Sequence, residues 1–111
     1  MELKRVVVTG IGMVTPLGND VTTTWENLLA AKSGAGDITH FDASKFKTQF
    51  ACEVKNLDVS SLFDPKELRR YDRYIHLAIH SVAQAIHDAG ICVLYEDALG
   101  CVVVFVCGFG G

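Results

Sequence analysis

The sequence predicts an α/β fold, on three observations. Val6-Val7-Val8 near the start and the run from Cys101 to Cys107 (CVVVFVC) are apolar stretches of strand length without polar alternation. A strand apolar on both faces belongs inside a parallel sheet covered by helices on both sides. Between these runs lie two segments with helical periodicity and helix-start signals, so that strand, helix, strand, helix and strand alternate.

In chain order, residues 3–9 read as a buried strand leading into Thr9-Gly10-Ile11-Gly12. Many nucleotide-binding domains open this way. Their cradle needs a third glycine three positions after the second, beginning a helix that receives the pyrophosphate. That position holds Thr15, and Pro16 follows it. Proline fixes its own φ and disfavours helix at the residue before it, so the chain stays extended where a cradle would turn helical. The acidic ribose ligand expected about 20 residues on is missing as well. The glycine pair reads as a strand and turn, not a nucleotide site.

Asp20 can cap a first helix in which Val21, Trp25, Leu28 and Leu29 form one apolar stripe, with Gly34 as its left-handed terminator. Residues 33–49 read as loop, and Phe50 to Val54 as a short second strand. Asp64-Pro65-Lys66-Glu67 is a strong helix start: Asp64 caps, Pro65 suits the first turn and Glu67 reaches back to the cap. That helix is expected to run to Ala89 and stop at Gly90. Its buried stripe would be Leu68, Tyr71, Ile75, Ala78, Ile79, Val82, Ile86 and Ala89. Residues 101–107 form the expected third strand. No internal repeat or low-complexity segment interrupts the pattern.

The chain has 111 residues, half of them hydrophobic, and a formal net charge of −3. That is enough for one modest domain, and the charge selects no class of partner. No apolar run reaches the roughly 18 residues of a membrane helix, and the glycines and Pro16 argue against a signal peptide. The chain reads as soluble and cytoplasmic. Its last strand has nothing after it to supply a covering layer, which suggests a fragment of something larger.

Four groups of side chains could carry chemistry. The cysteines at 52, 92, 101 and 107 show no C-x-x-C spacing, and 101 and 107 lie about 20 Å apart on a strand, too far to bridge. Reduced, structural thiols are expected. Cys107 precedes a glycine-rich loop, but no neighbouring histidine would activate it as a nucleophile. His76, His80 and His87 share one helix edge, and a pair at i, i+4 can hold a metal. With no acidic or cysteine partner there, they read as solvated or partly buried. Lys66, Arg69, Arg70 and Arg73 fall on one face of the expected long helix, opposite the apolar stripe. Three of them would sit in its first two turns, where the dipole disfavours positive charge, so a function is worth suspecting.

Several separated blocks, in order, resemble the β-ketoacyl-[acyl carrier protein] synthases, in particular the type II elongating enzymes. They are Val7 to Gly18 (VVTGIGMVTPLG), Trp25 to Leu29, Lys32-Ser33-Gly34, His40-Phe41-Asp42, Phe50 to Val54 (FACEV), and Arg70-Tyr71-Asp72-Arg73. The likeness weakens between Ile91 and Cys107. It implies a thiolase-like fold, layered α-β-α-β-α, in homodimers. Residues 1–111 would be the opening part of its N-terminal half, incomplete at the C-terminal end. It also implies a decarboxylative Claisen condensation of acyl and malonyl thioesters on an acyl carrier protein, with no metal or nucleotide cofactor.

A cysteine suits the acyl-transfer step because its thiolate is a strong nucleophile. Two histidines, with backbone N–H groups, would stabilise the thioester oxygens. The resemblance places all three side chains beyond residue 111, so no catalytic residue is expected here and the fragment alone should be inactive. It implies docking of the acidic carrier protein by Lys66, Arg69 and Arg70. It implies that Phe109 reaches across the dimer interface and lines the acyl pocket, where its bulk would favour short or medium chains. Val106 and Cys107 depart from the family's glycine- and serine-rich run. Two other readings remain: a non-condensing chain-length-factor subunit of the same fold, and a nucleotide-binding oxidoreductase, against which Pro16 speaks. Neither nucleic acid nor membrane is an expected partner.

Overall fold

A computed structural model describes residues 2–91, 100, 102–104 and 106. Its elements are α1 (Val21–Leu29), β1 (Gly36–Asp37), β2 (Phe50–Ala51), α2 (Pro65–Arg70) and α3 (Arg73–Ala89). Asp20 caps α1 as expected, its carboxylate accepting from the Thr23 N–H at 2.7 Å. The far end differs. Gly34 was the expected left-handed terminator, but Ala31 takes that conformation, with φ 53°. Ala31 N–H donates to the Leu28 carbonyl and Lys32 N–H to that of Asn27, both at 3.0 Å. This is the paired-bond ending usually built on glycine, and an alanine there costs about 1–2 kcal/mol of backbone strain. Gly34 serves a close approach instead: a Cβ there would stand 2.7 Å from that of Pro16.

β1 and β2 pair antiparallel, Gly36 opposite Ala51 and Asp37 opposite Phe50. The second strand is thus shorter than the predicted 50–54, and its partner lies in the stretch read as loop. Glycine and aspartate are poor strand formers, which hides β1 from a reading of propensity. The Glu53 carboxylate completes the hairpin, accepting from the Thr39 hydroxyl at 2.7 Å and the Thr39 N–H at 3.1 Å.

The predicted long helix is two helices. Its start is the expected capping box: Asp64 accepts from Lys66 N–H and Glu67 N–H at 2.8 Å, and Glu67 accepts from Asp64 N–H at 3.1 Å. α2 then ends at Arg70, because Tyr71 turns extended (φ −97°, ψ 141°) and Asp72 takes the extended conformation that opens α3. The break lets the Tyr71 ring meet Phe63 edge-on at 6.0 Å, while Phe63 also packs on His76 at 5.1 Å. Apolar periodicity runs through 71–75 unbroken, so only this aromatic packing marks the corner. α3 ends at Gly90 as predicted, with φ 68° and the Ile91 N–H returned to the Ile86 carbonyl at 3.3 Å.

The segment 10–13 lies flush against α3. A Cβ on Gly10 would meet the Ala85 carbonyl oxygen and stand 2.7 Å from the Ala89 Cβ; one on Gly12 would meet the Ser81 carbonyl oxygen. Ile11 N–H donates to Asp88 Oδ2 at 2.9 Å and Met13 N–H to Gln84 Oε1 at 3.1 Å. The predicted strands at 3–9 and 101–107 are not strands at their described residues. A ladder requires a neighbour to take alternate N–H and C=O groups, and none runs alongside them among the described residues. Their valines stand in the open, Val6 92% and Val106 93% exposed.

The buried apolar side chains among the described residues are Ala43, Val59 and Phe63. The radius of gyration is 17.3 Å, against about 13 Å for a packed domain of this length. The described residues therefore do not close over one core. Its order comes from local caps and from the seam between residues 10–13 and α3. Gly12→Ala should break that seam, at a cost of about 1–3 kcal/mol for overpacking against a backbone carbonyl. Faster amide hydrogen exchange at Ile11 and Met13 would show it; unchanged protection would refute the seam.

Candidate functional site

α2 presents Lys66, Arg69 and Arg70 on its surface, all exposed. Spacings of three and four residues put them on one face. The acidic residues beside them are committed elsewhere, because the Asp64 and Glu67 carboxylates form the capping box. Among the described residues the ion pair is His40 with Glu53, at 3.8 Å. The three cations therefore have no carboxylate partner there, and Arg69 spends one donor on the Pro65 carbonyl at 3.2 Å.

Two expectations need correcting. Arg73 does not share the α2 face, because it opens α3 beyond the extended Tyr71 and Asp72. Arg69 and Arg70 are also not at a positive helix end: α2 finishes at Arg70, so they occupy its last turn, where the dipole favours cations. The electrostatic oddity that suggested function at these two residues disappears. What remains is a cluster of unpaired, exposed positive charge on a chain of net charge −3.

The histidine edge is also revised. His76 is buried against Phe63, with no hydrogen-bond partner for its Nε2, while His80 is half-buried and His87 exposed. Among the described residues no three His, Cys, Asp or Glu side chains gather to hold a metal ion, and no helix is long and apolar enough to cross a membrane. Cys52 is a free, exposed thiol. Cys92, Cys101, Cys107 and Phe109 lie outside the described residues.

Beside the turn at 15–20 is a cleft of about 310 Å³, lined by Thr15 to Asp20, Thr23, Lys55 and Asn56. Reading the sequence did not anticipate it. Its polar groups are spent on holding the turn. Thr15 and Gly18 exchange backbone bonds at 2.8 and 3.1 Å. Asn27 donates to the Leu17 carbonyl at 2.6 Å. Asn19 donates to the carbonyls of Lys55 and Asn56 at 3.0 and 3.2 Å. Lys55 Nζ donates to the carbonyls of Gly34 at 2.9 Å, Glu53 at 3.0 Å and Pro16 at 3.4 Å. The one advance signal was Asn and Lys recurring among residues with no amphipathic pattern to serve.

The phosphate-cradle reading fails on geometry. The amides of Ile11 and Met13 are already taken by Asp88 and Gln84, and a carboxylate stands where a phosphate would sit. The glycines admit a helix, not a ligand. Residues 3–109 match the family model described as "Beta-ketoacyl synthase, N-terminal domain". The chain belongs to this family.

This beta-ketoacyl synthase chain is 44% identical over 111 residues to the 3-oxoacyl-[acyl-carrier-protein] synthase 2 of Coxiella burnetii, covering all of this chain and 27% of that protein. The synthase 2 of Synechocystis is 42% identical over 113 residues, with the same coverage. That of Staphylococcus aureus strain COL is 40% identical over 108 residues, covering 97% of this chain and 26% of the relative. The chain thus spans about a quarter of the length of the curated relatives it matches. Among solved structures, "The ishigamide ketosynthase/chain length factor" aligns with TM-score 0.71 and 31% identity over 78% of this chain and 22% of that one. The α/β, thiolase-like fold class read from the sequence is the fold of this family.

In the ketoacyl synthase domain, Asp20 joins the cleft to α1. The Thr23 N–H, then the Thr23 hydroxyl, hold its carboxyl below the ordinary aspartate range, with a smaller contribution from His80 against the slight opposing effect of burial. A carboxyl lowered on folding stabilises the fold above its unfolded value near 4, and that contribution disappears as pH falls through the folded value. Asp20→Ala should cost about 1 kcal/mol of α1 stability at neutral pH. The difference between parent and variant should vanish on acidification. A difference that persists once the carboxyl is fully protonated, measured by helix-specific hydrogen exchange, would exclude the cap as its source.

Proposed function

We propose that this chain is the N-terminal portion of a 3-oxoacyl-[acyl carrier protein] synthase. The intact enzyme elongates fatty acids by decarboxylative condensation of acyl and malonyl thioesters. It works in the cytoplasm as a homodimer and uses no cofactor. The nucleophile and its two histidines lie outside these residues, and the chain alone is inactive. Its own contribution is recognition: Lys66, Arg69 and Arg70 dock the acidic acyl carrier protein. The observation that carries this is the unpaired charge on α2, whose neighbouring carboxylates are locked in the capping box. The relatives' names supply the partner, since each is a synthase acting with acyl carrier protein.

A second reading, a non-condensing chain-length-factor subunit of the same fold, draws on the likeness to the structure titled "The ishigamide ketosynthase/chain length factor". The relatives at 40–44% identity are all named as synthases and favour the condensing enzyme. A cysteine at the nucleophile position would decide between them. We also propose that Phe109 lines the acyl pocket, as the resemblance implies.

Replacing Arg69 and Arg70 together by glutamate should weaken carrier-protein binding roughly tenfold at low salt, and the gap should shrink as ionic strength rises. Titration of the intact enzyme with fluorescent carrier protein measures both; equal affinities at low salt would remove the docking role. In the intact enzyme, Phe109→Ala should lengthen the preferred acyl chain. An unaltered product profile would take Phe109 out of the pocket.

A further inference from the structure

Arg73 is the cation that the α2–α3 break leaves in an unfavourable place. It occupies the first position of α3, whose first turn contains no acidic residue, and Asp72 makes no side-chain hydrogen bond to the helix end. A cation at a positive helix end shifts the helix equilibrium the wrong way by roughly two- to fivefold. Arg69 and Arg70, by contrast, sit at the favourable end of α2. Arg73 is exposed and has no ion pair among the described residues. The nearest negative charge in sequence is Asp72 at the cap, and it makes neither a cap hydrogen bond nor an ion pair with Arg73 among the described residues.

Chain geometry brings Arg73 close to the docking cations even though it leaves their face. It lies three positions after Arg70, a span of at most about 11 Å when fully extended. That is comparable to the distance over which charges act in physiological salt, about 8–10 Å. A partner with carboxylates distributed over its surface therefore meets charge from both helices at one corner. The aromatic packing of Tyr71, Phe63 and His76 fixes the corner's shape.

We propose that Arg73 is a fourth cation of the carrier-docking surface, acting from the start of α3 beside Lys66, Arg69 and Arg70 on α2. This rests on the docking role proposed above and adds a residue on a different element. The partner is the acidic carrier protein, selected by charge complementarity. A cation that weakens its own helix and strengthens association has a signature that a purely structural arginine lacks, because the two effects carry opposite signs.

The test uses the intact enzyme proposed above, with Arg73→Gln, Arg73→Lys and the Arg69→Glu/Arg70→Glu pair. Arg73→Gln should slow amide exchange in the first turns of α3 about two- to fivefold and weaken carrier binding by a similar factor at low salt. Arg73→Lys should keep the parent affinity. Unchanged carrier affinity in Arg73→Gln, with binding still lost in the Arg69/Arg70 variant, would overturn the role of Arg73 and leave the docking face intact. Parent affinity in every variant would overturn both. Equal loss in the lysine variant would show that charge is not the cause.

Discussion

The contact between the glycine segment and α3 is the constraint on which the other arrangements depend. Two positions without Cβ atoms allow backbone to approach backbone, and two α3 side chains then take the freed amides. Gln84 does more than close that seam. Its oxygen accepts from Met13 N–H while its nitrogen donates to the Asn19 carbonyl, so one amide group grips both sides of the following turn. The turn in turn delivers Asp20 to the start of α1. Remove the seam, and the first helix loses its orientation relative to the third.

The cationic corner of α2 and α3 is built on a different principle. Its helices are held by caps and by one aromatic cluster, not by extensive burial. The capping box at Asp64 starts α2 and occupies two carboxylates with backbone N–H groups, and neither of them pairs with Lys66 or Arg69 among the described residues. The buried His76, with its unpartnered Nε2, is the least comfortable member of the cluster, since an unmet buried hydrogen-bonding group typically costs about 1–3 kcal/mol.

Local chemistry was legible in the sequence where a few adjacent residues decide it. Asp20 and Asp64 as caps, Glu67 closing the box and Gly90 as a left-handed stop were all readable, because each depends on neighbours within four positions. The family resemblance supplied what periodicity cannot. The errors came where distant contacts decide. Ala31 takes the left-handed turn expected of Gly34, while Gly34 lies where a Cβ would crowd Pro16, many residues earlier. The helix breaks at Tyr71 because a ring at Phe63 rewards it. Of the candidate site, the identities of the cations could be read, but not their division between two helices. The valine runs look like strands because their composition is right; pairing, which composition cannot supply, is what makes a strand.

Lys55 illustrates how much the shape of a charged group can matter. Three carbonyl oxygens from residues 16, 34 and 53 converge on its single nitrogen. An ammonium carries three donors around one atom and suits such convergence. A guanidinium spreads its donors across a plane and does not. Arginine, ordinarily the gentlest replacement for a surface lysine, is therefore the one that this junction cannot house.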